Sequence, residues 1–245
     1  MRLRSFGENQ LTPVTQRWAG LSRSIEDYLK AIYELASLNG SAAQTSSIAE
    51  ALGIAPPSVS GMLKRLAESG LIEHTPYRGV SLTTAGRAVA LRMVRRHRVL
   101  ESYLISKLGY DWDAVHGEAD RLEHAVSDEL IERMAVALGN PDYDPHGAPI
   151  PTRTGEIEQA EHVSLTEVPV GEFAEFRMVS DRDGERLRYL ASLGLKPGVT
   201  LRVIARQPFR GPVTIWIAGV LPMEQVIGHE LAESLRCSMV TSGVS

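Results

Sequence analysis

The chain is 245 residues long, 43% hydrophobic and 23% charged, a composition that excludes both a disordered polymer and a membrane-embedded protein. No apolar stretch approaches the ~18–20 residues that span a bilayer, and residues 1–20 lack the apolar core of a signal peptide, so a cytoplasmic location is expected. The single cysteine, Cys237, excludes an internal disulfide and any multi-cysteine zinc or iron–sulfur site. The formal net charge of −4 conceals an asymmetry: residues 1–22 carry +2, residues 23–100 carry +4 and residues 101–245 carry −10. A basic front suits a polyanion, and an acidic rear suits cations.

Residues 1–22 show no period and read as a tail. A helix follows from about Ser24, which serves as its expected N-cap: Ile25, Tyr28, Leu29, Ile32, Tyr33 and Ala36 recur at helical spacing until Asn39-Gly40 stops it. Residues 45–52 form a short amphipathic helix ended by Gly53. A second helix opens at Pro56 or Pro57, where proline is tolerated, and stops at Gly70. Val59, Met62, Leu63 and Leu66 make its apolar stripe, with Ser58, Ser60, Lys64 and Arg65 off it. Two short helices around a glycine turn predict a helix-turn-helix. Strand-like Leu71–His74 and Val80–Leu82 then join through Pro76-Tyr77-Arg78-Gly79, so the hairpin adds a wing with Arg78 at its tip. The whole predicts binding to double-stranded DNA.

Thr83 or Thr84 caps a long helix that reaches Leu108, and one further helix is expected over 114–138. Pro141, Pro145, Pro149 and Pro151 mark a connection with little regular structure. Beyond Val163 the texture changes to strands at Phe173–Val179, Thr200–Ile204, Val213–Ile217 and Met223–Ile227, with one short helix at 186–193, which fits a small β-barrel. The fold class is therefore α+β.

The two helices after the wing carry the chemistry. His97 and Glu101 stand at i, i+4, and His116, Asp120, Glu123 and His124 stand at i, i+4, i+7 and i+8, each set on one helical face. Two imidazoles and two carboxylates on one stripe are costly to bury unpaired. A purely nitrogen and oxygen donor set suits Mn, Fe, Co, Ni or Zn. Solvated acidic faces with incidental histidines are the alternative. A neighbouring face with Ala119, Leu122, Val126 and Leu130 offers core or dimer contacts.

Several runs together resemble the diphtheria toxin repressor family of metal-dependent regulators. They are Glu26-Asp27-Tyr28-Leu29-Lys30-Ala31-Ile32-Tyr33-Glu34-Leu35, Ile48-Ala49-Glu50-Ala51-Leu52, Met93 through Glu101, and Glu123-His124-Ala125-Val126-Ser127-Asp128. Asp144 through Pro151 resembles the family's interdomain segment, and Leu190 through Gly198 is similar to its FeoA-type SH3-like domain. The resemblance implies a tail at 1–22, a winged helix-turn-helix at 23–90, a helical dimerisation and metal-sensing domain at 91–158, and an SH3-like domain at 159–240.

It also implies a regulatory metal site on Asp27, Asp120, Glu123 and His124, and an ancillary site on His97, Glu101 and His116. Asp183 and Glu185 lie near a stretch that adds ligands in some members. DNA contacts map to Pro57, Ser58, Ser60 and Arg65, with Lys64 and the wing's Arg78 placed for phosphates. Iron-sensing members carry methionine and cysteine where this chain has Asp27 and Asp120, and carboxylates there favour Mn²⁺; Zn²⁺, Co²⁺ or Cd²⁺ are expected to substitute in vitro. Lys30 stands where short manganese regulators have an acid, which predicts separate sites rather than a two-metal cluster.

The expected protein is thus a homodimeric, Mn²⁺-activated repressor of manganese-uptake genes, with a palindromic operator, no membrane and no small-molecule substrate. An Fe²⁺-responsive regulator is the second reading. A metal-assisted hydrolase is a third, but no nucleophile–base pair accompanies the ligands.

Overall fold

The structure is a computed structural model that describes residues 20–75, 78–159, 161–218 and 223–240. Most of the expected tail, and Pro76-Tyr77 of the wing turn, lie outside the described residues. The chain divides into two compact units, one holding the described residues up to Arg95 with Pro151–Glu156, the other holding Arg96–Ile150 and the residues from Ile157 on.

The first unit opens with α1 (Arg23–Asn39). Its cap is Ser22 rather than Ser24: Ser22 is extended (φ −69, ψ 147), and its carbonyl accepts from the amides of Ile25 at 2.9 Å and Glu26 at 3.2 Å. The earlier start leaves Glu26 in the first turn, where the helix dipole favours an acid. Tyr28, Leu29, Ile32 and Tyr33 are buried, as their spacing predicts. Helices α2 (Thr45–Leu52) and α3 (Pro56–Glu68) follow, the second with prolines in its first turn and with Val59, Leu63 and Leu66 buried. The wing is an antiparallel pair, β1 (Ile72–Thr75) and β2 (Gly79–Leu82), in the register Ile72↔Leu82. Ala43 bridges to Val80 and ties the turn before α2 to the wing.

Helix α4 (Thr84–Leu108) begins with the Gly86 amide donating to Thr83 Oγ1 at 3.1 Å, and the division between the units falls within it.

In the second unit the single helix expected over 114–138 is two helices. α5 (Val115–Leu122) ends at Glu123, and α6 (Asp128–Ala137) restarts from Ser127, whose hydroxyl accepts from the Leu130 amide at 3.2 Å. Arg96 of α4 holds the break. Its guanidinium donates to the Glu123 carbonyl at 3.2 Å and to Asp128 Oδ1 at 2.7 and 2.9 Å. Val99, Leu100, Ala119, Ile131, Ala135 and Ile150 form the core around these helices.

The proline-rich connection holds no helix or strand, but hydrogen bonds fix it closely. Asp144 Oδ1 accepts from the amides of His146 at 2.8 Å and Ala148 at 2.9 Å, and the Arg98 guanidinium donates to the Pro149 carbonyl.

The remainder is an antiparallel sheet in the order β3-β8-β4-β5-β6-β7. It comprises β3 (Val163–Ser164), β4 (Phe173–Met178), β5 (Thr200–Arg206), β6 (Val213–Ile217), β7 (Met223–Ile227) and β8 (Arg236–Met239). Helices α7 (Gly184–Ser192) and α8 (His229–Ser234) accompany it, and Leu187, Leu190, Phe176 and Ile215 lie in its core. β3, β8 and α8 are additions to the sequence expectation.

Candidate metal centre and nucleic-acid face

In the second unit three segments converge on one point: α4 presents His97 and Glu101, one turn apart; α5 presents His116; and the loop after β4 presents Asp181. His97 Nε2 lies 3.0 Å from His116 Nδ1, 3.1 Å from Glu101 Oε1 and 3.7 Å from Asp181 Oδ2. His116 Nδ1 lies 3.4 Å from Glu101 Oε1 and 3.2 Å from Asp181 Oδ2. A tetrahedral ion with bonds of about 2.1 Å has ligand-to-ligand edges of about 3.4 Å. The observed spacings straddle that edge, so the four atoms fit the corners of one cation's shell.

A fifth side chain completes the argument. His146, from the proline-rich connection, has Nε2 at 2.9 Å from the Trp112 carbonyl, to which it donates. Its Nδ1 faces Glu101 Oε2 at 3.6 Å, and both atoms are buried without a hydrogen-bond partner among the described residues. Two buried acceptors pointing at each other require a proton or a cation nearby. The donor set fits a divalent ion. Asp144, by contrast, is committed to its backbone turn and to Arg98 Nε at 3.4 Å, and burial pushes its carboxyl up to about 6 despite that cation.

The electrostatics agree. Burial alone would raise the Glu101 carboxyl, but the charge of His97 and the imidazoles of His116, His146 and His97 that face it hold it far below the usual range. Asp181 is likewise held well below its usual value, against its burial, by His116 and His97. Burial would lower His116, yet Asp181 and Glu101 push it up to about 10. When no cation is bound, a proton on His116 offsets part of the carboxylate charge.

Of the residues expected from sequence, His97, Glu101 and His116 thus meet at one point. His97 Nδ1 also touches Glu123 Oε2 at 2.7 Å and Asp120 Oδ1 at 3.3 Å, which gathers a second group of donors on the opposite edge of the same ring. His124 is half-buried, with Nε2 at 3.5 Å from Glu123 Oε1. The helix break places Glu123 and His124 at a chain turn instead of mid-helix. Asp27 belongs to α1 of the first unit, partly exposed, with Arg23 Nε at 3.8 Å.

Sequence reasoning missed Asp181 and His146. Asp183 is spoken for, because its side chain caps α7 by accepting from the Arg186 amide at 3.0 Å, and Glu185 is exposed in the first turn of that helix. An aspartate three residues before a helical amide reads as a cap. That signal would have set Asp183 aside and left Asp181 as the candidate.

On the first unit Pro57, Ser58, Ser60, Lys64, Arg65 and Arg78 are all exposed. The five on α3 stand away from its buried stripe of Val59, Leu63 and Leu66. The Ser60 hydroxyl donates to the Pro56 carbonyl at 3.2 Å and keeps its acceptor capacity outward.

Three family models match the chain in order. "Iron dependent repressor, N-terminal DNA binding domain" covers residues 20–80, "Iron dependent repressor, metal binding and dimerisation domain" covers 83–152, and "FeoA domain" covers 163–236. The iron-dependent repressor IdeR of Mycobacterium tuberculosis is 33% identical over 231 residues, covering 88% of this chain and 96% of its own. The chain belongs to the diphtheria toxin repressor family.

Two solved structures of the family extend the likeness. A manganese-dependent transcriptional repressor in complex with manganese is 38% identical with a TM-score of 0.81, over 88% of this chain and all of that one. The manganese regulator SloR is 31% identical with a TM-score of 0.74, over 88% of this chain and 98% of its own. Both the iron-dependent relative and the manganese-dependent one are described as repressors. Among the described residues no helix is long and apolar enough to cross a membrane.

Proposed function

We propose that this chain is a cytoplasmic, homodimeric repressor whose binding to a palindromic operator at manganese-uptake genes is switched on by Mn²⁺. The observation that carries the metal assignment is the donor set: carboxylates and imidazoles only, with Asp27 and Asp120 at the two positions where sulfur would favour a softer ion. The 38%-identical repressor described in complex with manganese supports the same choice.

Asp27, Asp120, Glu123 and His124 would hold the regulatory ion, and His97, Glu101, His116, Asp181 and His146 an ancillary one. When bound, a divalent cation supplies charge neutralisation and directional coordination at these carboxylates and imidazoles. Asp27 rides on the first helix of the reading head, whereas Asp120, Glu123 and His124 stand on the helical domain. Shared ligation restrains the head, so DNA pays less ordering entropy on binding, and operator and metal reinforce each other reciprocally. Swinging a population from 1:99 to 99:1 takes about 5.5 kcal/mol, within reach of a few differential ligands.

Leu130 and Val136, apolar and exposed on α6, support a face for the second copy. Two recognition helices in successive major grooves call for half-sites about one helical turn apart or a multiple. Ser58 and Ser60 would meet base edges, and Lys64, Arg65 and Arg78 phosphates; all five are exposed.

The identity to the iron-dependent repressor IdeR favours Fe²⁺ as the second reading. Anaerobic titration of operator binding with each ion separates the two. Half-saturation at lower free Mn²⁺ than free Fe²⁺, each compared with its cellular availability, supports the first; the reverse order supports the second.

A further inference from the structure

The four glycines inside the described helices fall into two kinds. A Cβ at Gly86 would stand 1.9 Å from the Leu71 carbonyl oxygen, and one at Gly184 would stand 2.7 Å from that of Asp113, so close backbone packing demands glycine at both. Gly61, in the second turn of α3, is different. A Cβ there would meet nothing within 4 Å, and its φ is an ordinary helical one. Gly117, in the first turn of α5, shares such open surroundings but lies away from the reading head.

Glycine inside a helix costs stability relative to alanine, because it fixes more backbone freedom and covers less backbone. Nothing within the described chain repays that loss at position 61. Its place on the helix is informative. At about 100° per residue, Gly61 lies across the axis from Val59, Leu63 and Leu66, on the exposed face with Pro57 and Lys64 to one side of it and Ser58 and Arg65 to the other. It is therefore the smallest residue on the outward face of the helix, about one turn from Pro57 and Ser58.

We infer that Gly61 is the point of closest approach between the recognition helix and the base edges of the operator. The missing side chain lets the helix backbone seat deeper in the major groove, which brings Pro57, Ser58 and Ser60 within contact distance of the bases. These short side chains cannot reach from a helix held further out. Gly61 thereby determines specificity, although it offers no hydrogen-bonding group of its own. This inference rests on the operator-binding reading above.

The test uses the full-length protein in saturating Mn²⁺, with a duplex it has enriched from a random-sequence library and a scrambled duplex of equal length. Gly61→Ala is expected to raise the melting temperature by about 2–4 °C. It is also expected to weaken binding to the enriched duplex about tenfold or more, with binding to the scrambled duplex unchanged. Ala67→Gly, an exposed change near the C-terminal end of α3, should lower the melting temperature and leave the ratio of the two affinities unaltered. A purely structural role for Gly61 moves the melting temperature alone. Equal binding of the enriched duplex by Gly61→Ala overturns the inference while leaving the operator reading in place. Failure of the wild-type chain to enrich any sequence overturns both.

Discussion

The Val179 amide donates to the His146 carbonyl oxygen at 3.1 Å. One backbone hydrogen bond thereby fixes the proline-rich connection to the end of β4, two residues before Asp181. Both side chains that sequence reasoning overlooked are positioned by this join. Gly147 makes it possible: at φ +87 it occupies the left-handed region, and a Cβ there would stand 1.7 Å from the Arg177 carbonyl oxygen. Gly147→Ala should cost about 2–4 kcal/mol in denaturant unfolding and weaken cation binding at the ancillary site, since strain and clash act together. Unchanged stability would contradict the close approach.

Asp181 and Asp183 are two residues apart and have different jobs. Asp181→Asn removes a charged ligand and should lower ancillary-site affinity at least tenfold, read by calorimetric titration, with little change in fold. Asp183→Ala removes a helix cap and should cost about 1 kcal/mol while leaving ion binding intact. If Asp183→Ala, and not Asp181→Asn, weakened the ion, the ligand assignment would be reversed.

Ion binding at this site should release a proton. His116 is pushed up to about 10, so it is charged at neutral pH, whereas a ligating imidazole must be neutral. The sign follows. A raised histidine stabilises the cation-free fold fully below its unfolded value and loses that contribution as pH climbs toward 10, so cation affinity rises with pH over the same window. The slope is up to about tenfold per pH unit for one displaced proton. Titration in buffers of different ionisation enthalpy counts the protons. A pH-independent affinity would contradict the His116 assignment.

Cys237 reports on the sheet. It is fully buried in the core of the C-terminal segment, and burial pushes its thiol up to about 12. A thiol-reactive chromophore should label it only as fast as the sheet opens, and rapid labelling of the native protein would contradict that packing.

The reading head was legible because its signals are local. Gly53 between two short helices, the Pro56-Pro57 start and the stripe at Val59, Leu63 and Leu66 each act within a few residues. The candidate ligands His97, Glu101 and His116 on α4 and α5 were picked out for the same reason, through i, i+4 spacing, and the structure brings them together. What escaped was held by distant partners. The helix break after Leu122 depends on Arg96, some 27–32 residues earlier in the chain. β8 runs only from Arg236 to Met239, too short to show a period, yet it lies between β3 and β4 in the sheet. His146 and Asp181 reach Glu101 and His116 only through the tertiary join at Val179, so no window of sequence could pair them.

The central claim is that an ion held jointly by Asp27 and by Asp120, Glu123 and His124 licenses operator binding. It is tested most directly by a mobility-shift titration of Asp27→Ala against the wild type, over a range of free Mn²⁺, with dimerisation followed by sedimentation. The account predicts an intact dimer that no longer gains operator affinity as Mn²⁺ rises. An Asp27→Ala dimer with the wild-type Mn²⁺ response would contradict it.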